Sequence, residues 1–173
     1  MTKQVPYTVI KKINEIELRQ YPEICLAVVK DQDDDTAFGY LFRYISGENK
    51  TRRRIPMTTP VITSGKIKMT APVITRANFM AFALPSSYTK DTVPIPTNPL
   101  VTIEVQPKKI IAVLRFSGRT PDAKVQQYRE KLISSLKEQN ILVNGETVLM
   151  RYNSPFTPGF LRRNEVAVEI QIK

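Results

Sequence analysis

The sequence predicts an α+β fold: a strand–strand–helix–strand–strand unit, duplicated, forming a distorted antiparallel β-barrel or curved sheet flanked by two helices. Three observations predict it. Short stretches alternate apolar and polar residues with the period of a strand, and two longer ones carry apolar residues at helical spacing. The same order of elements then recurs on either side of a proline-rich connection, with repeats at about 13–84 and 100–173 and the connection at 85–99. The 173 residues, 42% of them hydrophobic, suffice for one domain with its own core, so 1–173 reads as a single domain.

Ile16 and Leu18 alternate with polar neighbours as a half-buried strand, Tyr21-Pro22-Glu23 turns, and Ile24 to Val29 returns. The acidic loop Asp31 to Asp35 can cap a helix and complement its dipole. Phe38, Leu41, Phe42 and Ile45 follow at i, i+3, i+4 and i+7, one apolar stripe, and Gly47 is placed to end that helix. β-type stretches lie at Val61–Thr63, Val73–Thr75 and Asn78 to Leu84. Pro85, Pro94, Pro96 and Pro99 then mark a long surface connection. Leu100 to Val105 alternates as a strand, Pro107-Lys108-Lys109 turns, and Ile110 to Phe116 returns. Thr120 as cap and Pro121 at the first helical position open a second helix, with the stripe Val125, Tyr128, Leu132, Leu136 running to about Gln139. Asn144-Gly145 marks a turn and Thr147 to Tyr152 a strand. Glu165 to Ile172 is the last strand, with Val166, Val168, Ile170 and Ile172 on one face.

Composition narrows the function. The chain has no histidine, which excludes Ser-His-Asp and Cys-His triads, His-rich zinc sites and the zinc-deaminase signature. Cys25 is the one cysteine, so the fold stands on packing without an internal disulfide, as suits a reducing compartment. The longest apolar stretches, such as Phe79 to Leu84, fall far short of the ~18 residues of a membrane span, and the first ten residues lack a leader's apolar run. A cytoplasmic protein is expected. Lys and Arg number 26 against 16 Asp and Glu, a net charge of +10 that favours anionic partners without choosing among them.

The candidate sites each carry a plain reading beside a functional one. The Phe38–Ile45 stripe is first the core side of an amphipathic helix and second a ligand wall. Arg52-Arg53-Arg54, with Lys50, Lys66 and Lys68, is either a solvated loop or a contact for carboxylates or nucleic acid. No helix-turn-helix pattern, zinc spacing or aromatic-rich RNA-binding string accompanies it, so no specific nucleic-acid partner is expected. Asp31 to Asp35 is not a calcium loop: the sixth and twelfth positions, which need Gly and Glu, hold Thr36 and Phe42. Cys25 reads as a buried, inert thiol. With no paired carboxylates at a shared site and no Gly-rich phosphate loop, no enzyme is expected.

One motif recurs within the first half. Ile55-Pro56-Met57-Thr58-Thr59-Pro60-Val61-Ile62-Thr63 returns as Ile67-Lys68-Met69-Thr70-Ala71-Pro72-Val73-Ile74-Thr75, each proline favouring a strand start or an edge segment. With Arg43-Tyr44-Ile45-Ser46-Gly47-Glu48-Asn49, Tyr152-Asn153-Ser154-Pro155 and Arg163-Asn164-Glu165-Val166, the chain resembles the SOUL haem-binding family over nearly its whole length. The resemblance implies an architecture related to gyrase-inhibitor-like effector-binding domains. It also implies reversible, non-catalytic binding of haem or another tetrapyrrole, an apolar anion of the porphyrin kind. The family's cleft lies on the exposed side of the first helix, and those positions here hold Phe38, Leu41, Phe42, Arg43 and Ile45: apolar surface for the ring and a guanidinium for its propionates. Where some relatives place a basic residue, this chain has Asp35 and Thr157. Where some place an axial histidine, it reads Arg19-Gln20-Tyr21, so iron ligation is expected to be weak or absent and no metal ligand is assigned. The implied function is a haem carrier or buffer, the alternative a small-molecule or protein-partner sensing module with incidental haem affinity.

Overall fold

The computed structural model describes residues 3–64 and 78–172. In chain order its elements are β1 (Lys3–Gln4), β2 (Thr8–Ile13), β3 (Ile16–Tyr21), β4 (Ile24–Lys30), α1 (Asp34–Ile45), β5 (Thr58–Ser64) and β6 (Phe79–Ala83), followed by β7 (Thr102–Gln106), β8 (Lys109–Ser117), α2 (Asp122–Glu138), β9 (Leu142–Arg151), a 3-10 turn (Gly159–Leu161) and β10 (Arg163–Gln171). The fold is α+β, as expected. The chain divides into two compact units, one holding β1 and Ile24–Gln106, the other Pro6–Glu23 and the chain from Pro107 onward.

In the first unit the strands run β5-β6-β4-β7, all antiparallel, with β1 added parallel to β5. β4 reads as a continuous apolar run because it is flanked on both sides and buried on both faces. One of those faces, Cys25, Ala27 and Val29, packs with Met80 and Phe82 against Ala37, Leu41, Tyr44 and Ile45 of α1. Local chemistry sets the limits of α1. The Asp33 carboxylate accepts from the Thr36 N–H at 2.9 Å and its hydroxyl at 2.6 Å, and Asp34 and Asp35 lie in the first turn. After Ser46, Gly47 takes φ +120°, the left-handed turn that ends the helix. Asn49 then ties the chain back: its Nδ2 donates to the carbonyls of Tyr44 (3.1 Å) and Arg53 (2.8 Å), and its Oδ1 accepts from the Arg53 N–H (3.1 Å). Pro60 sits where the β5–β6 register slips between Thr58 and Val61, a bulge that needs no N–H from it. The second copy of this motif, Ile67 to Thr75 with the stretch Val73–Thr75, lies outside the described residues, as do Lys66 and Lys68.

The second unit orders its strands β2-β3-β8-β10-β9, again antiparallel. α2 lays Val125, Leu132 and Leu136 on a face built from Ile16, Leu18, Ala112, Leu114, Leu149, Val166, Val168 and Ile170. Tyr128 is only partly buried there and stacks on Phe116 at 4.4 Å.

Four local expectations are corrected. Ile24 to Val29 does not return along Ile16–Tyr21, and Ile110 to Phe116 does not return along Leu100 to Val105. Instead β3 pairs with β8 and β4 with β7, so each repeat's first strand joins the other repeat's unit. The second helix starts one residue later than expected, with Pro121 as its N-cap, extended at φ −64° and ψ 148°, in place of Thr120. Asn144-Gly145 is a bulge inside β9, where Gly145 takes φ +88° and the register with β10 shifts, and the strand begins at Leu142. The 85–99 connection is not all surface: Val93 is buried in the α1 core, and the Tyr44 hydroxyl donates to the Pro94 carbonyl at 2.7 Å.

Candidate functional site

α1 divides the five candidate residues between two faces. Leu41 (0% exposed) and Ile45 are core and offer no surface, while Phe42 is 52% exposed and Phe38 lies between. Phe38 packs edge-on against Phe82 at 5.3 Å and faces Phe42 in a near-parallel pair at 6.1 Å. Phe82 belongs to the core, so the pair is footed on the core through half-buried Phe38. Arg43 follows on the exposed side, its guanidinium 5.1 Å from the centre of the Tyr40 ring and its Nε 3.2 Å from Glu48. Between Phe38 and Arg43, α1 therefore presents an aromatic pair and, over Tyr40, a cation that already has a carboxylate partner.

A porphyrin asks for apolar area, a cation for each propionate and, for strong iron binding, an axial ligand. The platform fits the first requirement, and Arg43 offers one cation toward the second, already paired with Glu48. For the third, the chain holds no imidazole. Cys25 and Met80 are buried in the core, and the Tyr44 hydroxyl is committed to Pro94. Burial pushes the Tyr44 phenol well above its ordinary value, so it stays protonated. Among the described residues no group of three His, Cys, Asp or Glu could hold a metal ion. These residues fit a tetrapyrrole ring better than they fit its iron. The basic loop stands apart as solvated charge: Arg52, Arg53 and Arg54 are exposed.

A second cluster, unforeseen from the sequence, gathers three of the motif strings in the second unit. Glu165 on β10 is fully buried. Arg19 grips it with two bonds, Nη1 at 2.8 Å and Nη2 at 3.0 Å, and Arg163 adds Nη2 at 2.7 Å. The Tyr152 hydroxyl donates to it at 2.7 Å. Tyr7 lies under the Arg19 guanidinium at 4.2 Å, and Tyr152 under that of Arg163 at 4.1 Å. Burial alone would raise the Glu165 carboxyl, but the Arg19 bonds and charge outweigh it and hold the group below the usual carboxylate range. Burial raises Tyr152 far above the ordinary phenol value, and the Glu165 charge adds to that. A carboxylate so held accepts five hydrogen bonds, from Arg19, Arg163 and Tyr152, and stays ionised. It is a poor proton acceptor and a strong fixed point for the strands around it. Gln20, next to Arg19 in sequence, is half-buried on β3.

A family model described as SOUL heme-binding protein matches residues 2–169. No curated protein matches the chain by sequence. Among solved structures, the C-terminal domain of EcmrR is similar over 96% of this chain and 99% of its own, with a TM-score of 0.68 at 8% identity. A structure described as a hydrolase from Listeria innocua is similar over 94% of each chain, with a TM-score of 0.60 at 8% identity. SAV2435 bound to tetraphenylphosphonium is similar over 91% of this chain and 94% of its own, with a TM-score of 0.52 at 13% identity. Likeness at such identities concerns the fold, and it bears out the α+β architecture.

Proposed function

Given that the chain belongs to the SOUL heme-binding protein family, we propose that it binds haem or a related tetrapyrrole non-covalently on the exposed flank of α1, as a cytoplasmic carrier or buffer. One observation carries this reading: α1 presents a near-parallel aromatic pair, half-buried Phe38 and exposed Phe42, on the same helix as the exposed Arg43 cation. The macrocycle is held by burial of its apolar face on that pair, with Arg43 meeting a propionate. Leu41 and Ile45 contribute from beneath by fixing the helix to its sheet. No axial bond to iron is invoked and no catalysis. The buried carboxylate of Glu165 has its acceptor positions taken.

The test is a Soret titration at physiological salt, with albumin as the control for unspecific haem adhesion. Haem and metal-free protoporphyrin should bind with comparable affinity, since neither gains an axial ligand. The Phe42→Ala/Arg43→Gln variant should lose about tenfold in affinity for both while keeping its circular dichroism. An unchanged titration by that folded variant removes the site.

A second reading rests on the likeness to the EcmrR and SAV2435 folds. It is a small-molecule or protein-partner sensing module whose haem affinity is incidental, and SAV2435 is seen with an organic cation. Tetraphenylphosphonium titrated against the apo protein distinguishes the two. Saturable binding of the cation, with protoporphyrin binding no tighter than to albumin, favours the sensor.

A further inference from the structure

The segment between β9 and β10 turns its apolar side chains outward. Phe156 is 96% exposed, Phe160 77% and Leu161 61%. A single exposed apolar side chain needs no explanation; three within one short loop do. The loop is also built. Arg162 donates from Nε to the Thr157 carbonyl at 2.8 Å and from Nη2 to the Pro155 carbonyl at 2.6 Å. The Thr157 N–H donates to the Ser154 carbonyl at 3.0 Å, and the Leu161 N–H to that of Pro158 at 2.9 Å. Pro155 and Pro158 fix φ on either side of Thr157. The aromatic rings are thus presented from a braced frame.

Positive charge borders this tip. The Arg119 stem lies against Gly159, where an added Cβ would stand 3.2 Å from its Cγ. The neighbouring turn joins the loop through the Gly118 N–H, which donates to the Arg162 carbonyl at 3.2 Å. Lys124 is fastened to that turn by its Nζ, 2.6 Å from the Ser117 carbonyl. From Arg151 to Arg163 the chain carries no acidic residue.

We infer that this loop is an interfacial anchor: Phe156, Phe160 and Leu161 dip into the surface of a bilayer containing anionic lipid, with Arg119, Lys124 and Arg162 at the headgroups. An apolar tip with a cationic border needs no complementary pocket in its partner, which is what a lipid surface offers and a protein groove does not. The net charge of +10 draws the whole chain to the same surface. The contact is peripheral, in keeping with the absence, among the described residues, of any helix long and apolar enough to cross a membrane.

The inference is independent of the tetrapyrrole reading and is tested on the ligand-free chain. Because the sequence has no tryptophan, Phe156→Trp supplies the sole indole. With vesicles of phosphatidylcholine and phosphatidylserine its emission should shift to the blue and be quenched by brominated acyl chains. With phosphatidylcholine alone the response should be weak, and added salt should reduce it. In co-sedimentation, Phe156→Ser/Phe160→Ser should lower partitioning of the otherwise native chain by about tenfold or more. Three results would overturn the inference: no co-sedimentation of the native chain with phosphatidylserine vesicles, equal co-sedimentation of the double serine variant, or loop-dependent self-association in place of vesicle binding.

Discussion

Glu165 shows how one side chain can decide what a strand does. By alternation along Asn164-Glu165-Val166, with Val166 in the α2 core, Glu165 belongs on the opposite face, where a glutamate is ordinarily solvated. Here β10 is flanked by β8 and β9 and buried on both faces, so the carboxylate needs donors, and Arg19, Arg163 and Tyr152 supply them. Removing one partner leaves buried charge uncompensated. Arg19→Met should therefore cost about 3 kcal/mol in urea unfolding, and a cycle with Glu165→Met should show strong coupling, the double variant losing less than the sum. Additive losses would mean that the two act independently. Arg43 is the exposed counterpart. Its partner Glu48 is also partly exposed, so the pair stabilises the fold little, but it occupies the guanidinium a propionate needs. Glu48→Gln should tighten protoporphyrin binding about two- to fivefold by freeing Arg43. A variant that binds more weakly would take Arg43 out of the ligand's reach.

At the level of elements, what could be read from the sequence was what neighbouring residues determine. α1 is capped by Asp33 and closed at Gly47, signals contained within a few positions, and its stripe found the core through Leu41 and Ile45. Strand partners were not legible, because pairing joins distant residues: nothing local in Ile16–Tyr21 distinguishes β8 from β4 as its neighbour. Asn144-Gly145 has the composition of a hairpin turn, and a bulge in a long strand uses the same left-handed glycine. The candidate site was half legible for a similar reason. Helical spacing located the stripe, but which residues lie beneath and which beside it depends on the sheet that α1 meets. α2 holds one residue that helical patterning would not place inside. Arg129 occupies the inner stripe between Val125 and Leu132, is only 8% exposed, and its Nε has no hydrogen-bond partner. Burial lowers its pKa, with Asp122 opposing weakly. An unsatisfied buried donor is a standing cost, so Arg129→Met, which keeps the stem and drops the head, should stabilise the chain by about 1 kcal/mol. A loss of stability on urea titration would reveal a partner for the guanidinium head.

The pH response of the whole molecule follows from one absence and two sets of shifted groups. A chain without histidine has no imidazole to titrate between mild acid and mild alkali, so stability should be level there. On the acid side, Glu165 and Glu17 are both held below the ordinary carboxylate value of 4.5: burial raises each, and Arg19 outweighs it. A carboxylate with a lowered folded pKa binds fewer protons in the folded chain than in the unfolded one. Its contribution is complete above 4.5 and is lost as pH falls through the folded value. On the alkaline side, burial raises Tyr21, Tyr44 and Tyr152 above the ordinary phenol value of 10.0. These groups keep their protons in the folded chain while the unfolded chain releases them, so stability falls as pH rises past 10.0. Urea midpoints measured across pH should trace a plateau bounded by these two values. In Glu165→Gln the acid limb should flatten, because that variant has already lost what protonation removes, and the alkaline limb should shrink, because the Glu165 charge that helps to raise Tyr152 and Tyr21 is gone. Tetrapyrrole affinity should share the neutral plateau, since the chain has no imidazole to titrate there or to grip the iron. A step in either curve near pH 6.5, the ordinary range of a histidine, would have to come from a group outside this network.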